Sequence, residues 1–124
     1  MRPRFEAGRN IAMKVPEHEY DATVAFYRDV LALPVLGGPA TGSTASTRFD
    51  FGDKVLWVDR MAGFSQAEIW LEIVTDDVAA AAAHLARHGC VRRDGIEPLP
   101  EGFTGFWVSA PPNIIHLVTT VGDA

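Results

Sequence analysis

Apolar and polar residues alternate along several short stretches of this chain and recur at helical spacing along two others. In Glu68–Asp77, Ile69, Leu71 and Ile73 fall on one side of an extended backbone, and Glu68, Trp70 and Glu72 on the other. Strand side chains point to opposite faces with period two, so the stretch predicts a strand with one apolar face. Its second face carries two carboxylates and an indole. Thr75-Asp76-Asp77 then offers caps for the alanine-rich run that begins at Val78. That run predicts a helix from about Asp77 to His88, with Val78, Ala81, Ala82 and Leu85 as a narrow apolar stripe and Gly89 as its stop.

The same alternation occurs earlier. Asn10–Val15 places Ile11, Met13 and Val15 on one face and Asn10, Ala12 and Lys14 on the other, and Pro16 closes the strand. A helix is predicted from an N-cap at about Asp21, with Val24, Tyr27, Val30 and Leu31 as its stripe and Phe26 on the flank. Pro34 stops it, and Pro34–Leu36 predicts a short strand. Gly37–Thr47 is rich in Gly, Ser and Thr, and reads either as a plain surface connection or as a lid over a pocket. Thr47–Phe51 and Lys54–Asp59 predict a hairpin turning at Gly52-Asp53. Val91–Ile96, Thr104–Ser109 and Ile114–Thr119 predict the last strands, with a loop at Glu97–Gly102 and a sharp break at Ala110–Asn113.

The predicted order is strand, helix, three strands, and then the same again. Laid over Glu68–Ile73, the stretch Asn10–Val15 matches in its apolar and polar positions, with Asn10 against Glu68 and Lys14 against Glu72. The closing strand Val55–Val58 then corresponds to Ile114–Leu117. Similar pattern without similar identity is what an internal duplication leaves behind.

Three stretches carry a resemblance. They are Ala25-Phe26-Tyr27-Arg28-Asp29-Val30-Leu31, the strand-to-helix join Thr75-Asp76-Asp77-Val78, and Phe106–Leu117 with its central Ala-Pro-Pro-Asn. In this order and spacing the chain resembles the vicinal oxygen chelate superfamily, which includes glyoxalases, bleomycin-resistance proteins and extradiol dioxygenases. The resemblance implies an α+β fold in which two βαβββ modules form one cup-shaped mixed sheet with helices outside. The modules would run over about 9–60 and 67–119 within a single domain, and the protein would be a homodimer. It also implies a divalent-metal site at four positions, which in this chain are Asn10, Trp57, Glu68 and His116.

The chemistry of those four residues argues against a metal. Glu68 and His116 are good ligands, but Asn10 offers only a neutral oxygen and the Trp57 indole has no lone pair to give. Asp59 or Glu72 would have to reach the same centre to complete a set. No metal and no other cofactor is therefore expected. Glu68 and His116 are instead expected to face each other, a pairing in which the carboxylate fixes the imidazole tautomer. Such a pair either shuttles a proton or merely satisfies itself. Trp57 and Trp70 have the parity to wall a cup, as aromatic residues do in organic-ligand sites. Arg48 alternates with Phe49 and reads either as a contact for an anionic ligand or as a surface residue, and Lys14 and Glu72 read either as a pair across the cup or as a solvated rim pair.

Composition narrows the class further. The 124 residues fit one domain, and the net charge of -5 argues against nucleic acid as a partner. No apolar run approaches the roughly 20 residues of a membrane span. The N-terminus lacks the apolar segment of a secretory signal and the single Cys90 cannot form an internal disulfide, so a cytoplasmic location is expected. His84 and His88 have helical i, i+4 spacing with no third ligand nearby, and read as surface histidines. The resulting expectation is a metal-independent binder of a small organic molecule, with Trp57 and Trp70 as walls and Glu68, His116 and Asn10 as a polar floor. The alternative is a glyoxalase-like lyase or isomerase using Glu68 and His116 for proton transfer, with or without a divalent metal.

Overall fold

A computed structural model describes residues 2–37, 45–111 and 113–120. Most of the loop read as a possible lid lies outside the described residues. The elements are β1 (Phe5–Pro16), α1 (Glu17–Ala25), a π-helical turn (Phe26–Val30), β2 (Val35–Leu36), β3 (Ser46–Phe51) and β4 (Lys54–Met61). The series then repeats with β5 (Glu68–Thr75), α2 (Val78–Arg87), β6 (Val91–Arg92), β7 (Gly105–Ala110) and β8 (Ile114–Thr119). The twofold strand–helix–three-strand order is the predicted one, and the fold is α+β with a mixed sheet.

The chain divides into two compact units. One is Arg9–Ile69, and the other joins the residues up to Gly8 with those from Trp70 onward. Strand β1 contributes to both. The first unit orders its strands β2-β3-β4-β1, with β1 parallel to β4 and the other pairs antiparallel. The second orders them β5-β8-β7-β6, with β5 parallel to β8 and the other pairs antiparallel.

Each unit packs one face of its sheet against its helix. In the first, Val24 of α1 joins Val15, Phe49, Leu56 and Val58, with Ile11, Met13, Tyr20 and Tyr27 around them. The register sets Ile11 beside Leu56 and Met13 beside Val58, so the apolar positions of β1 and β4 share this face. In the second, Ala81 of α2 packs on Phe106, Val108 and Val118, flanked by Phe5, Ile73, Val78 and Leu85. A methyl at Ala81 lets the helix axis come close to the sheet. The Asp77 side chain caps α2 by accepting from the Ala80 N–H at 3.0 Å. At the other end Gly89 takes φ +83°, and the Cys90 N–H reaches back to the Leu85 carbonyl. That return directs Cys90 into the core, as a small apolar residue.

Four predicted details differ. Helix α1 begins at Glu17, directly after Pro16, rather than at Asp21. Proline's fixed φ and missing N–H suit the start of a helix as well as the end of a strand. The expected stripe also breaks: after Ala25 the backbone widens to π geometry, the face rotates, and Val30 and Leu31 end up 71% and 47% exposed. Strand β6 is two residues long rather than six. In β5 the apolar Ile69 and Leu71 are exposed while Trp70 and Glu72 are buried, so the stretch reads inside out relative to its composition. Ile73 alone of that apolar row lies against α2, and Ile69 and Leu71 share its parity but not its cover.

Candidate functional site

The face of the first unit's sheet turned away from α1 collects polar groups from three strands. Parity puts Asn10 and Lys14 of β1 there, with Trp57 and Asp59 of β4 and Ser46 and Arg48 of β3. The register brings them into two rows. In one, Ser46, Asp59 and Lys14 are lateral neighbours. Lys14 is only 2% exposed; its ammonium donates to Asp59 Oδ2 at 2.8 Å, and the Ser46 hydroxyl donates to Oδ1 of the same carboxylate. One carboxylate thus accepts from both sides, which is the condition for holding an ammonium away from water.

In the other row, Arg48 and Trp57 are lateral neighbours and Asn10 lies diagonal to the indole. The Trp57 N–H donates to Asn10 Oδ1 at 2.8 Å, which fixes the ring plane. The Arg48 guanidinium carbon sits 5.3 Å from the ring centroid, in cation–π geometry. Gly37, with φ +67°, leaves room for that guanidinium, since a side chain at position 37 would run into it. Asn10, Arg48 and Trp57 are half-buried, so this row is open where the Lys14 row is closed.

In the second unit, the face turned away from α2 carries Trp70, Glu72, Trp107 and Leu117. Trp70 is 2% exposed and meets Trp107 edge to face at 5.2 Å between centroids, and the Trp107 N–H donates to the Glu97 carbonyl. Glu72 is buried over Gly8, where any side chain on the glycine would collide with it. These two indoles are packed side chains, and Trp70 is not the open wall that its parity suggested.

His116 falls on the opposite face. The register sets it beside Leu71 and Val108, in the row that contains Val118 and Phe106 and packs on α2. Its ring nitrogen Nδ1 lies 3.1 Å from the Ile114 carbonyl on its own strand. Leu117, next in sequence, lies beside Glu72 and takes the facing expected of His116. Glu68 begins β5 with the parity of Trp70, is exposed, and lines an open surface hollow with Gly63–Ala67. The geometry groups Asn10, Arg48 and Trp57, and separately Lys14 with Asp59. Ser46, unremarked in the sequence, joins the second group. It sits at the edge of the Gly- and Ser-rich loop, where nothing but its register with Asp59 sets it apart.

Among the described residues no three His, Cys, Asp or Glu side chains gather where one ion would be held. The four positions implied for a metal do not suit one: Asn10 spends its oxygen on Trp57, the indole is a donor, and His116 turns toward the α2 face. His84 lies on α2 beside Phe5 and His88, at 5.8 and 4.6 Å between ring centroids. Partial burial lowers its pKa from the ordinary histidine value, helped by the charges of His88, Arg2 and Arg87. No helix among the described residues is long and apolar enough to cross a membrane.

No protein-family model matches the sequence, and no curated protein sequence matches it. Solved structures do match by shape. The Mn(II)-bound glyoxalase from Novosphingobium aromaticivorans superposes with a TM-score of 0.68 at 23% identity, over 95% of this chain and 40% of that one. Homoprotocatechuate 2,3-dioxygenase from Arthrobacter globiformis gives 0.61 at 20% identity, over 96% and 37%. Methylmalonyl-CoA epimerase from Streptomyces coelicolor gives 0.57 at 16% identity, over 94% and 98%. The chain spans well under half the length of the glyoxalase and the dioxygenase, and nearly all of the epimerase. The fold of this chain is the one these glyoxalase, dioxygenase and epimerase structures share.

Proposed function

We propose that the chain binds a small organic molecule on the Asn10–Arg48–Trp57 face, without a metal, in the manner of the bleomycin-resistance type. The observation that supports this most directly is the half-buried Trp57 indole, its N–H already satisfied by Asn10 and its ring left as an oriented apolar surface. Ligand sites combine such aromatic surface with a few placed polar groups. The Lys14–Asp59–Ser46 row stiffens the sheet beside the site rather than meeting the ligand, because its charges are spent on each other. Lysis or isomerisation by Glu68 and His116 gains no support from the register.

A thermal-shift screen of small organic molecules, run with chelator present on wild type and on Trp57→Ala, tests the reading. The expected result is a set of compounds that stabilise wild type and leave the variant unmoved. Stoichiometric metal in untreated protein, or stabilisation that survives in Trp57→Ala, would overturn it.

A further inference from the structure

Arg48 is half-buried, whereas the other described arginines are exposed. Arg28 is paired with Asp29, Arg60 with Glu17, and Arg92 with Asp94. Arg48 is half-buried, and among the described residues no carboxylate lies within ion-pair reach of it. Asp50 is two positions along the same strand, on the same face, yet the two make no ion pair. Residues 38–44 contain no acidic side chain. In a chain with 16 acidic residues against 11 Lys and Arg, a partly buried guanidinium with no ion pair to any described carboxylate is a specific arrangement.

The guanidinium is also held in place. It rests over the Trp57 ring, the ring is pinned by Asn10, and Gly37 leaves the space that it occupies. Much of the rotamer entropy that an arginine loses on gripping a ligand is therefore lost before the ligand arrives. A planar fork of N–H donors matches a carboxylate with two parallel hydrogen bonds. The neighbouring cation, Lys14, is already matched by Asp59. The face thus presents one unmatched positive charge beside one indole, which suits a singly charged anion with an apolar body better than a phosphate dianion.

We infer that Arg48 is the anion-recognition group of this face and that the ligand class is small organic carboxylates, with the carboxylate in the guanidinium fork and the apolar body on the indole. The inference rests on the binding function proposed above and narrows it to one chemistry.

Benzoate is a suitable probe, with benzyl alcohol as its neutral counterpart and inorganic phosphate as an anion without an apolar body. The readout is the indole N–H resonance of Trp57 in a two-dimensional nitrogen–proton spectrum, identified by its loss in Trp57→Phe. Benzoate is expected to shift that resonance saturably, and phosphate and benzyl alcohol to do so far more weakly. Arg48→Gln should weaken benzoate roughly tenfold to a hundredfold, the scale of charged hydrogen bonds, with the rest of the spectrum unchanged. Arg48→Lys, which keeps the charge and loses the fork, should also bind more weakly than wild type, and it carries the test if the glutamine variant does not fold. Equal benzoate affinity in either variant overturns the inference, as does a Trp57 resonance that benzoate does not move. Benzyl alcohol binding as tightly as benzoate would remove the role of Arg48 and leave the binding function standing.

Discussion

Lys14 is the residue whose environment is most demanding. Its ammonium is buried, and Asp59 supplies a charge at 2.8 Å while Ser46 fixes the far oxygen of that carboxylate. Asp59→Ala should cost about 2–3 kcal/mol in urea unfolding, since it strips a charged hydrogen bond from a group shielded from water. Lys14→Met combined with Asp59→Leu should recover much of that loss, because an apolar pair of similar volume needs no such partner. His84 sets a pH dependence of the opposite origin. Its pKa is lower in the folded chain than in the unfolded one, so the folded state takes up fewer protons there. Stability is therefore fully present above the unfolded histidine value and is lost as pH falls through the folded one. Denaturation midpoints measured from neutral to mildly acidic pH should decline in wild type and decline less in His84→Gln. At this scale the facing of Asn10, Lys14, Arg48 and Trp57 was legible, because alternation decides facing wherever the strand is recognised. The Lys14–Asp59 contact was not, because it depends on which residue of β4 lies beside which residue of β1.

At the scale of elements, His116 shows what periodicity leaves open. Ile114-Ile115-His116-Leu117-Val118 is apolar on both sides of the histidine, so its own sequence contains no alternation to set the phase. The overlay on Val55–Val58 supplied a phase that is off by one residue, and a one-residue slip exchanges the two faces of a strand. Strand β5 misled in a different way. Its alternation was real, but Ile69 and Leu71 extend past the cover of α2 while Trp70 and Glu72 are enclosed. Hydrophobicity alone named the wrong face as the buried one. Helix α2 was legible almost to the residue because Asp77 and Gly89 mark its ends chemically. Asp77→Ala should cost about 1 kcal/mol of stability in urea unfolding, the usual worth of an N-cap. Helix α1 has no side-chain cap, and there the predicted start was four residues late.

For the molecule as a whole, the duplicated strand–helix–three-strand order was readable with little shared identity between the halves, because each half must bury the same kind of face. The same economy explains how the fold can match solved structures at 23% identity and below. A shared fold at that distance needs only the same pattern of buried positions. If no ion is bound, chelator should leave the melting temperature of untreated protein unchanged, since only a ligand of the folded state shifts that equilibrium. A drop of several degrees on adding chelator would reveal a resident metal.

Strand β1 belongs partly to each unit, and this bears on where the chain can be cut. A break in the connector near Gly63 would look clean, yet it would leave the second half short of its own parts. Phe5 packs against the α2 core, and the Arg4 N–H donates to the Asp76 carboxylate. A fragment running from the connector to the C-terminus is thus an incomplete fold with a vacant groove, and the segment that fills it is carried at the far end of the other fragment. Split in this way, the C-terminal fragment would be held back until the other fragment supplies the missing segment.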